Sequence, residues 1–216
     1  MKKTALSLAL VGLLALSACG SSGSTSGNDG SSSPEASSTQ PSKKKHEIRV
    51  ESFGKDVKAA MEDAGTFTVD GTFTTSSGAE IIAHIDYDIT TPDVIKSHMT
   101  RQREGQTSEE IRIGSTKYVK APGDTTWTSS TAESDRVTRL FQVPEDITVT
   151  EAGKETIDGK ELVKYDLTEG GDSASYWLTE EGYIAQVSFQ GETITFGNYG
   201  EPVTITEPDP SEVTQG

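Results

Sequence analysis

Four kinds of side chain in this sequence could do chemistry, and their spacing decides which of them does. The chain holds a single cysteine, Cys19, so it contains neither an internal disulfide nor a cysteine-based metal site. Its three histidines, His46, His84 and His98, are scattered, and none has a second histidine two to four residues on, so no zinc site is expected. His84 falls on the polar side of an alternating stretch and reads as a solvated surface residue. Asp86 and Asp88 share one strand face two residues apart. Paired carboxylates can carry acid–base chemistry or calcium, but no EF-hand loop surrounds this pair and a wet strand face is the simpler reading. Serines are plentiful, yet none lies in a G-x-S-x-G setting, and there is neither a P-loop nor a G-x-G-x-x-G. The chain is therefore read as a non-enzyme, with no catalytic residue, metal or cofactor.

The positions of these residues follow from the segments that carry them. Met1-Lys2-Lys3 precedes an almost unbroken apolar run, Ala5 to Leu16. This is a charged n-region followed by an h-region of secretory size. Twelve helical residues reach about 18 Å, short of a hydrocarbon core of about 30 Å, so no permanent span is expected. Leu16-Ser17-Ala18-Cys19 resembles a bacterial lipobox. That resemblance implies a diacylglycerol on the Cys19 thiol and cleavage before it, which makes residues 1–18 a removed signal peptide and places the domain at the extracytoplasmic face of the cell membrane. Two acyl chains hold a protein at a bilayer where one does so only marginally.

Between Gly20 and Lys45 the only apolar side chain is Ala36. Such a segment buries too little to offset its ordering entropy, so residues 19–45 read as the lipidated cysteine and a flexible Ser/Gly-rich tether. Its root-mean-square reach is about 28 Å. The run Lys43–Lys45 at its end is either a contact for anionic head groups or a solvated cluster. Removing the leader with Lys2 and Lys3 takes the net charge from −15 to −17, with 17 basic against 34 acidic residues. Such a surface disfavours nucleic acid. Residues 46–207 are one domain's worth of chain, and residues 208–216 form a polar tail read as disordered.

One amphipathic helix opens the domain, with Val50, Phe53, Val57, Ala60, Met61 and Ala64 at helical spacing and Gly65 as its stop. Gly54 weakens its first turn by about 1 kcal/mol. The period then becomes two. Phe67, Val69, Gly71 and Phe73 share one side of a strand, and Ile81, Ala83, Ile85, Tyr87 and Ile89 one side of the next. Further strands are expected over Val94–Arg103, Glu109–Ile113, Lys117–Lys120, Ile147–Thr150, Lys160–Leu167, Ser175–Thr179, Tyr183–Phe189, Thr193–Tyr199 and Val203–Thr206. A second helix is expected over Thr131–Gln142, with Ser130 and Glu133 as a capping box and Val137, Leu140 and Phe141 as its apolar stripe. Ten or eleven strands joined by short turns leave no room for βαβ crossovers. The fold class is therefore α+β: a strongly curved antiparallel half-barrel with two or more helices on its concave face.

The order of features resembles a family. After the lipobox, tether and first helix come "TFTVDGTFT", "AHIDYDI", "IRIGSTKYVKAPGDTTW", "GKETIDGKELVKYDL", "SYWLTEEGYIAQVSF" and "NYGEPVTITEPDPSEV". Across residues 48–213 this is similar to the actinobacterial LppX/LprG-type lipoproteins, relatives of the lipoprotein carrier LolA. The resemblance implies an apolar cavity between sheet and helices that takes a lipid or glycolipid, and it brings no catalytic motif. Its walls would be Phe53, Val57 and Met61 on the first helix, Val137, Leu140 and Phe141 on the second, and Phe67, Val69, Phe73, Ile81, Ile85, Tyr87, Val187 and Phe189 on strands. The second helix is shorter here, which would narrow or open the cavity. From the residues alone, the same side chains form a filled core. The first function is then a monomeric, membrane-anchored binding protein that carries a hydrophobic ligand in the cell envelope and hands it to a transporter or other envelope partner. The alternative is a non-enzymatic interaction or signalling module with a filled core.

Overall fold

The structure, a computed structural model, describes residues 44–74, 78–91, 93–132, 143, 147–169 and 171–216, within a unit that runs from Pro41 to Gly216. A turn of 3-10 helix, Val50–Ser52, leads into helix α1, Phe53–Ala64. Its buried residues, Phe53, Val57, Ala60 and Met61, are four of the six predicted for the apolar stripe; Val50 is exposed in the 3-10 turn and Ala64 is half-buried. Asp56 fixes the entry by accepting hydrogen bonds from Ser52 Oγ at 2.6 Å and from the Arg49 backbone at 3.1 Å. Partial burial works against its charge, but these donors and the Arg49 guanidinium hold the carboxyl below its usual range. Gly65 ends the helix at φ +72°, donating to the Met61 carbonyl at 3.1 Å. Its own carbonyl accepts from the Ile89 N–H at 2.7 Å, which ties the helix end to the sheet.

The strands are β1 (Thr66–Thr74), β2 (Glu80–Thr91), β3 (Val94–Arg103), β4 (Gln106–Ile113), β5 (Thr116–Lys120), β6 (Trp127–Thr131), β7 (Thr148–Ile157), β8 (Lys160–Glu169), β9 (Asp172–Leu178), β10 (Ile184–Phe189), β11 (Glu192–Gly197) and β12 (Val213–Gln215). They form one open, curved sheet in the order β12-β6-β5-β4-β3-β2-β1-β11-β10-β9-β8-β7. Two meanders explain that order. The chain steps outward from β1 to β6, restarts at the far edge with β7, and steps back inward to β11, which pairs antiparallel with β1. Asp158-Gly159, both at positive φ, make the tight two-residue turn that matches strand twist between β7 and β8; the same pattern closes β3–β4 and β10–β11. Directly opposed residues lie on one face. From Phe67↔Tyr87 and Val69↔Ile85 the helix-facing side can thus be followed strand by strand across the sheet.

Several expectations are corrected here. Ser130 and Thr131 lie in β6, paired with Lys117 and Thr116, and do not begin a helix. The rest of that expected helix, with Val137, Leu140 and Phe141, lies outside the described residues, as does Cys19. The described residues contain one α-helix and twelve strands, not two helices and ten or eleven strands. β7 runs on through Ile157 by way of a bulge between Glu151 and Gly153. Val203–Thr206 is not a strand. It belongs to a strap that leaves β11, passes six strands and ends at β12, a lateral distance of about 34 Å at roughly 4.8 Å per strand. The strap is pinned where the Gly200 N–H donates to the Thr66 carbonyl at 2.9 Å and Thr66 Oγ1 donates to the Glu201 carbonyl at 2.7 Å. Residues 208–216, expected to be disordered, carry a 3-10 turn, Pro210–Glu212, and β12, which pairs parallel with β6 from Val213↔Trp127 to Gln215↔Ser129.

The connection from β6 to β7 is described at Val143, whose side chain is buried in the core. A Cβ built on Gly54 would lie 2.5 Å from the Val143 carbonyl oxygen. The glycine that weakens α1 locally is what lets this backbone approach. Gly54→Ala therefore pits a helix gain of about 1 kcal/mol against an overpacking penalty of about 1–3 kcal/mol. A lower thermal midpoint for the variant is expected in a calorimetric melt. A raised midpoint would show that the contact gives way freely.

Candidate functional site

The site is built between α1 and the sheet. Phe53 packs against Tyr165 at 4.9 Å between ring centroids and edge-on to Tyr176 at 5.7 Å. Phe67 stacks on Tyr87 at 5.0 Å, and Tyr183 on Tyr199 at 4.6 Å. The Tyr199 hydroxyl donates to the Ile184 carbonyl. Burial pushes the Tyr176 and Tyr199 hydroxyls well above the usual tyrosine range, so neither exchanges protons near neutrality. Of the predicted wall residues, Phe53, Val57, Met61, Phe67, Val69, Ile85, Tyr87 and Val187 lie in one cluster, none more than 5% exposed. Phe73 is partly buried against that cluster, and Ile81 and Phe189 are half-buried. Around α1, these side chains fill the layer by packing on one another.

Space opens at one end of that layer. A cleft of about 530 Å³ is lined by the segment Lys45–Ile48, by Lys154, Glu161, Val163 and Tyr165 of β7 and β8, and by Leu178, Thr179, Glu180 and Gly182 around the end of β9. The volume is that of a small-molecule pocket. Ile48, Val163, Tyr165 and Leu178 supply apolar surface, while Lys154 and Glu161, paired at 2.6 Å, supply charge. The entering chain is tied down on either side. The His46 N–H donates to the Glu181 carbonyl at 2.9 Å, Lys45 Nζ bonds Glu180 Oε1 at 2.8 Å, and the Tyr165 hydroxyl donates to the Ile48 carbonyl at 3.4 Å. Gly182, at φ +91°, lets it pass, because a Cβ there would come within 3.0 Å of His46 Cβ. Lys45, read as the last residue of the tether, and His46, the first of the domain, are part of this wall. Val163, Tyr165 and Leu178 were not among the expected wall residues, although Val163 and Tyr165 alternate within the expected strand Lys160–Leu167 and the register sets Leu178 opposite Val163. The contribution of Lys45–Ile48 depends on a tertiary contact that no periodicity carries.

The polar candidates of the strands, His84, Asp86, Asp88 and His98, lie on the opposite, outer face, whereas His46 stands in the cleft wall beside α1. His84 Nδ1 is 2.7 Å from Asp70 Oδ1, and its Nε2 is 3.4 Å from Asp86 Oδ1. Asp88 is bound instead to Thr90 and Lys96, so Asp86 and Asp88 do not act as a pair. His98 faces Glu109 at 3.4 Å, and His46 faces Asp63 at 3.2 Å. Among the described residues no three His, Cys, Asp or Glu side chains are placed to hold a metal, and no helix is long and apolar enough to cross a membrane. Both tryptophans also sit on the outer face, each beneath a lysine: Trp127 under Lys120 and Trp177 under Lys164, at 5.5 and 5.2 Å.

No family model and no curated protein matches this sequence. Solved structures do share its outline. The MucA/MucB complex of Pseudomonas aeruginosa is similar at 12% identity and a TM-score of 0.43, over 66% of this chain and 55% of that one. An uncharacterized conserved protein of Thermus thermophilus is similar at 8% identity and a TM-score of 0.47, over 75% of this chain and 98% of that one. An outer membrane lipoprotein-sorting protein domain of Vibrio parahaemolyticus, described as putative, follows at 8% and 0.31, over 69% and 92%. The match thus spans about half the length of MucB.

The His84 cluster sets a pH dependence. The hydrogen bond to Asp70, reinforced by the charges of Asp70 and Asp86, raises the His84 pKa above its usual value against the opposing effect of partial burial. A raised folded-state value adds stability that is fully present below the unfolded pKa of about 6.5 and is lost as pH rises through the folded one. The melting-temperature gap between the native chain and Asp70→Asn should be widest near pH 5–6 and shrink toward pH 8. A gap that is flat or grows with pH would remove the ion pair as its cause.

Proposed function

We propose that this chain is an extracytoplasmic lipoprotein, held at the cell membrane through lipid on Cys19, that binds a lipid or glycolipid without catalysing a reaction. The observation that carries the reading is the cleft of about 530 Å³ with an apolar floor at the root of the tether. Its rim is made by the residues that follow Lys43–Lys45, so a tether of about 28 Å reach keeps its mouth near the bilayer. Apolar burial at about 25 cal/mol per Å² supplies the affinity, and half-buried Ile48 and Val163 are the surfaces that give it, over nearly covered Tyr165 and Leu178. The resemblance to LppX/LprG-type lipoproteins supports the same reading, with transfer to an envelope partner as the onward step.

One observation favours a second reading. The eight best-buried wall residues are packed on one another, as in an interaction module whose core is filled and whose acidic surface docks a partner. The two readings separate in one experiment. The purified mature protein is extracted with organic solvent for mass spectrometry and titrated with a fluorescent fatty acid. Stoichiometric lipid, together with probe binding that falls at least tenfold in Val163→Asn, supports the carrier, since a polar amide placed where the chain must lie opposes its burial. Lipid-free protein that ignores the probe would leave the module. The substitution is placed at half-buried Val163 because Phe53 is 1% exposed, and a charge there would unfold the domain.

A further inference from the structure

One wall of the cleft is built differently from the others. Val163 and Tyr165 on β8 and Leu178 on β9 sit in strands that have a ladder on both sides. Residues 44–49 belong to no helix or strand. Between Lys44 and Ile48 a single backbone–backbone hydrogen bond holds this segment, from the His46 N–H to the Glu181 carbonyl. Its other ties run through side chains. Lys45 meets Glu180 at 2.8 Å, Lys44 meets Asp63 at 3.8 Å, His46 meets Asp63 at 3.2 Å, and the Tyr165 hydroxyl reaches the Ile48 carbonyl at 3.4 Å. The side chains of Lys44 and Lys45 are 68% and 66% exposed. Ion pairs so open to water hold a segment weakly.

The segment nonetheless has a fitted seat. A Cβ on Gly182 would lie 3.0 Å from His46 Cβ and 3.1 Å from both the His46 carbonyl oxygen and Ile48 Cδ1. Ile48 packs against the core cluster. A defined position held by few and exposed bonds is the profile of a stretch that opens locally while the rest stays folded. The closed cleft also offers an acyl chain little. Tyr165 is 4% and Leu178 1% exposed, which leaves only half-buried Ile48 and Val163 as apolar surface. Tyr165 and Leu178 both belong to the core cluster, and Tyr165 packs on Phe53 of α1. A chain gains their surface when Lys45–Ile48 moves away.

We propose that Lys45–Ile48 is a clasp that gates the cleft. Released from Glu181 and Gly182, it opens a path along Tyr165 and Leu178 toward Phe53, and it closes over the acyl chain that enters. The inference rests on the lipid-binding reading above and adds the regulation of that site. The clasp continues into Lys43 and the tether, so the attachment of the domain and the entry to its cleft share one stretch of chain. Because the open form is the minor one, uptake scales with its population.

The test is stopped-flow association of cis-parinaric acid with the purified mature protein and two variants. In His46→Cys/Gly182→Cys, oxidation pins the clasp to its seat. The 3.0 Å between the two Cβ positions is somewhat short of the about 3.5–4.5 Å of a disulfide, and lipid occupies the Cys19 thiol. Association should slow about tenfold or more on oxidation and recover on reduction. Lys45→Ala/His46→Ala removes the ties to Glu180 and Asp63 by deleting atoms only. It should take up the probe about threefold faster or more, with hydrogen exchange of the amide at position 46 faster by a similar factor. This second variant needs no disulfide, so it decides the matter if the first does not fold or oxidise. Equal uptake by the native, pinned and loosened forms would overturn the clasp while leaving lipid binding in place. Faster exchange at position 46 without faster uptake would overturn it too, since the segment then opens without gating. A native protein that takes up no probe would remove the lipid reading and the clasp with it.

Discussion

The fold depends on one ladder, the antiparallel pairing of β1 with β11 from Thr68↔Gly197 to Thr72↔Thr193. Every other antiparallel neighbour in the sheet is a hairpin partner formed by adjacent stretches of chain. β1·β11 alone joins the meander β1–β6 to the meander β7–β11, and it does so across more than a hundred residues. The clasp of the strap on Thr66 and the bond from Asn198 Nδ2 to Thr68 Oγ1 extend the same seam. Closing so long a loop is entropically expensive and kinetically slow. The compensation lies on its other side, where Phe67 and Val69 meet Phe196, Tyr199 and Ile194 within the core cluster. The seam also aligns the inward residues of both meanders beneath α1, so without it neither half has a complete layer to bury.

What the sequence could reveal was what period alone carries. Helix α1, its Gly65 stop, and the inward rows Phe67–Phe73 and Ile81–Ile89 were all legible, because burial on one face imposes a spacing that any reader can count. The errors fall where one local pattern fits two structures. Ser130 and Glu133 have the form of a capping box, but Ser and Thr also populate strands, and pairing of Tyr118 with Ser129 decides for β6. Val203 and Ile205 do alternate with polar neighbours and are half-buried. They alternate because the strap lies along a surface, not because it joins a ladder. β12, at three residues, is too short to show any period, and its pairing is specified by the edge of β6.

The candidate site was legible in part and for the same reason. Strands over Lys160–Leu167 and Ser175–Thr179 were expected, but Val163, Tyr165 and Leu178 were not among the expected wall residues, and period gives no means of telling filled layer from open cleft. That distinction is made by Lys45–Ile48, which reach the cleft only because His46 bonds the β9–β10 turn and Gly182 has no side chain to block it. Gly54 is a similar case. Propensity describes it as a weakness in α1, and only the Val143 carbonyl 2.5 Å from its virtual Cβ gives it a purpose. A glycine that violates a local rule records a tertiary contact made elsewhere in the chain.

The distribution of polar residues on the helix-facing side follows from a mismatch of widths. A helix is about 10–12 Å across with its side chains, and strands lie about 4.8 Å apart, so on a flat sheet α1 would cover two or three strands of the twelve. The curved sheet extends that reach: inward positions are apolar on six strands, β1, β2 and β8–β11, whose buried side chains form one cluster with Phe53, Val57 and Met61. Farther out, the row that begins with Ile85 continues through Met99 to Glu110, and the row beside it through Arg101. Alternation itself persists there; what changes is the polarity of the residues that point inward. Arg112 and Lys117 face each other there across β4 and β5, and Arg112 Nε donates to the Gly114 carbonyl at 3.2 Å, so this part of the inward face carries polar side chains where the rows beneath α1 carry apolar ones.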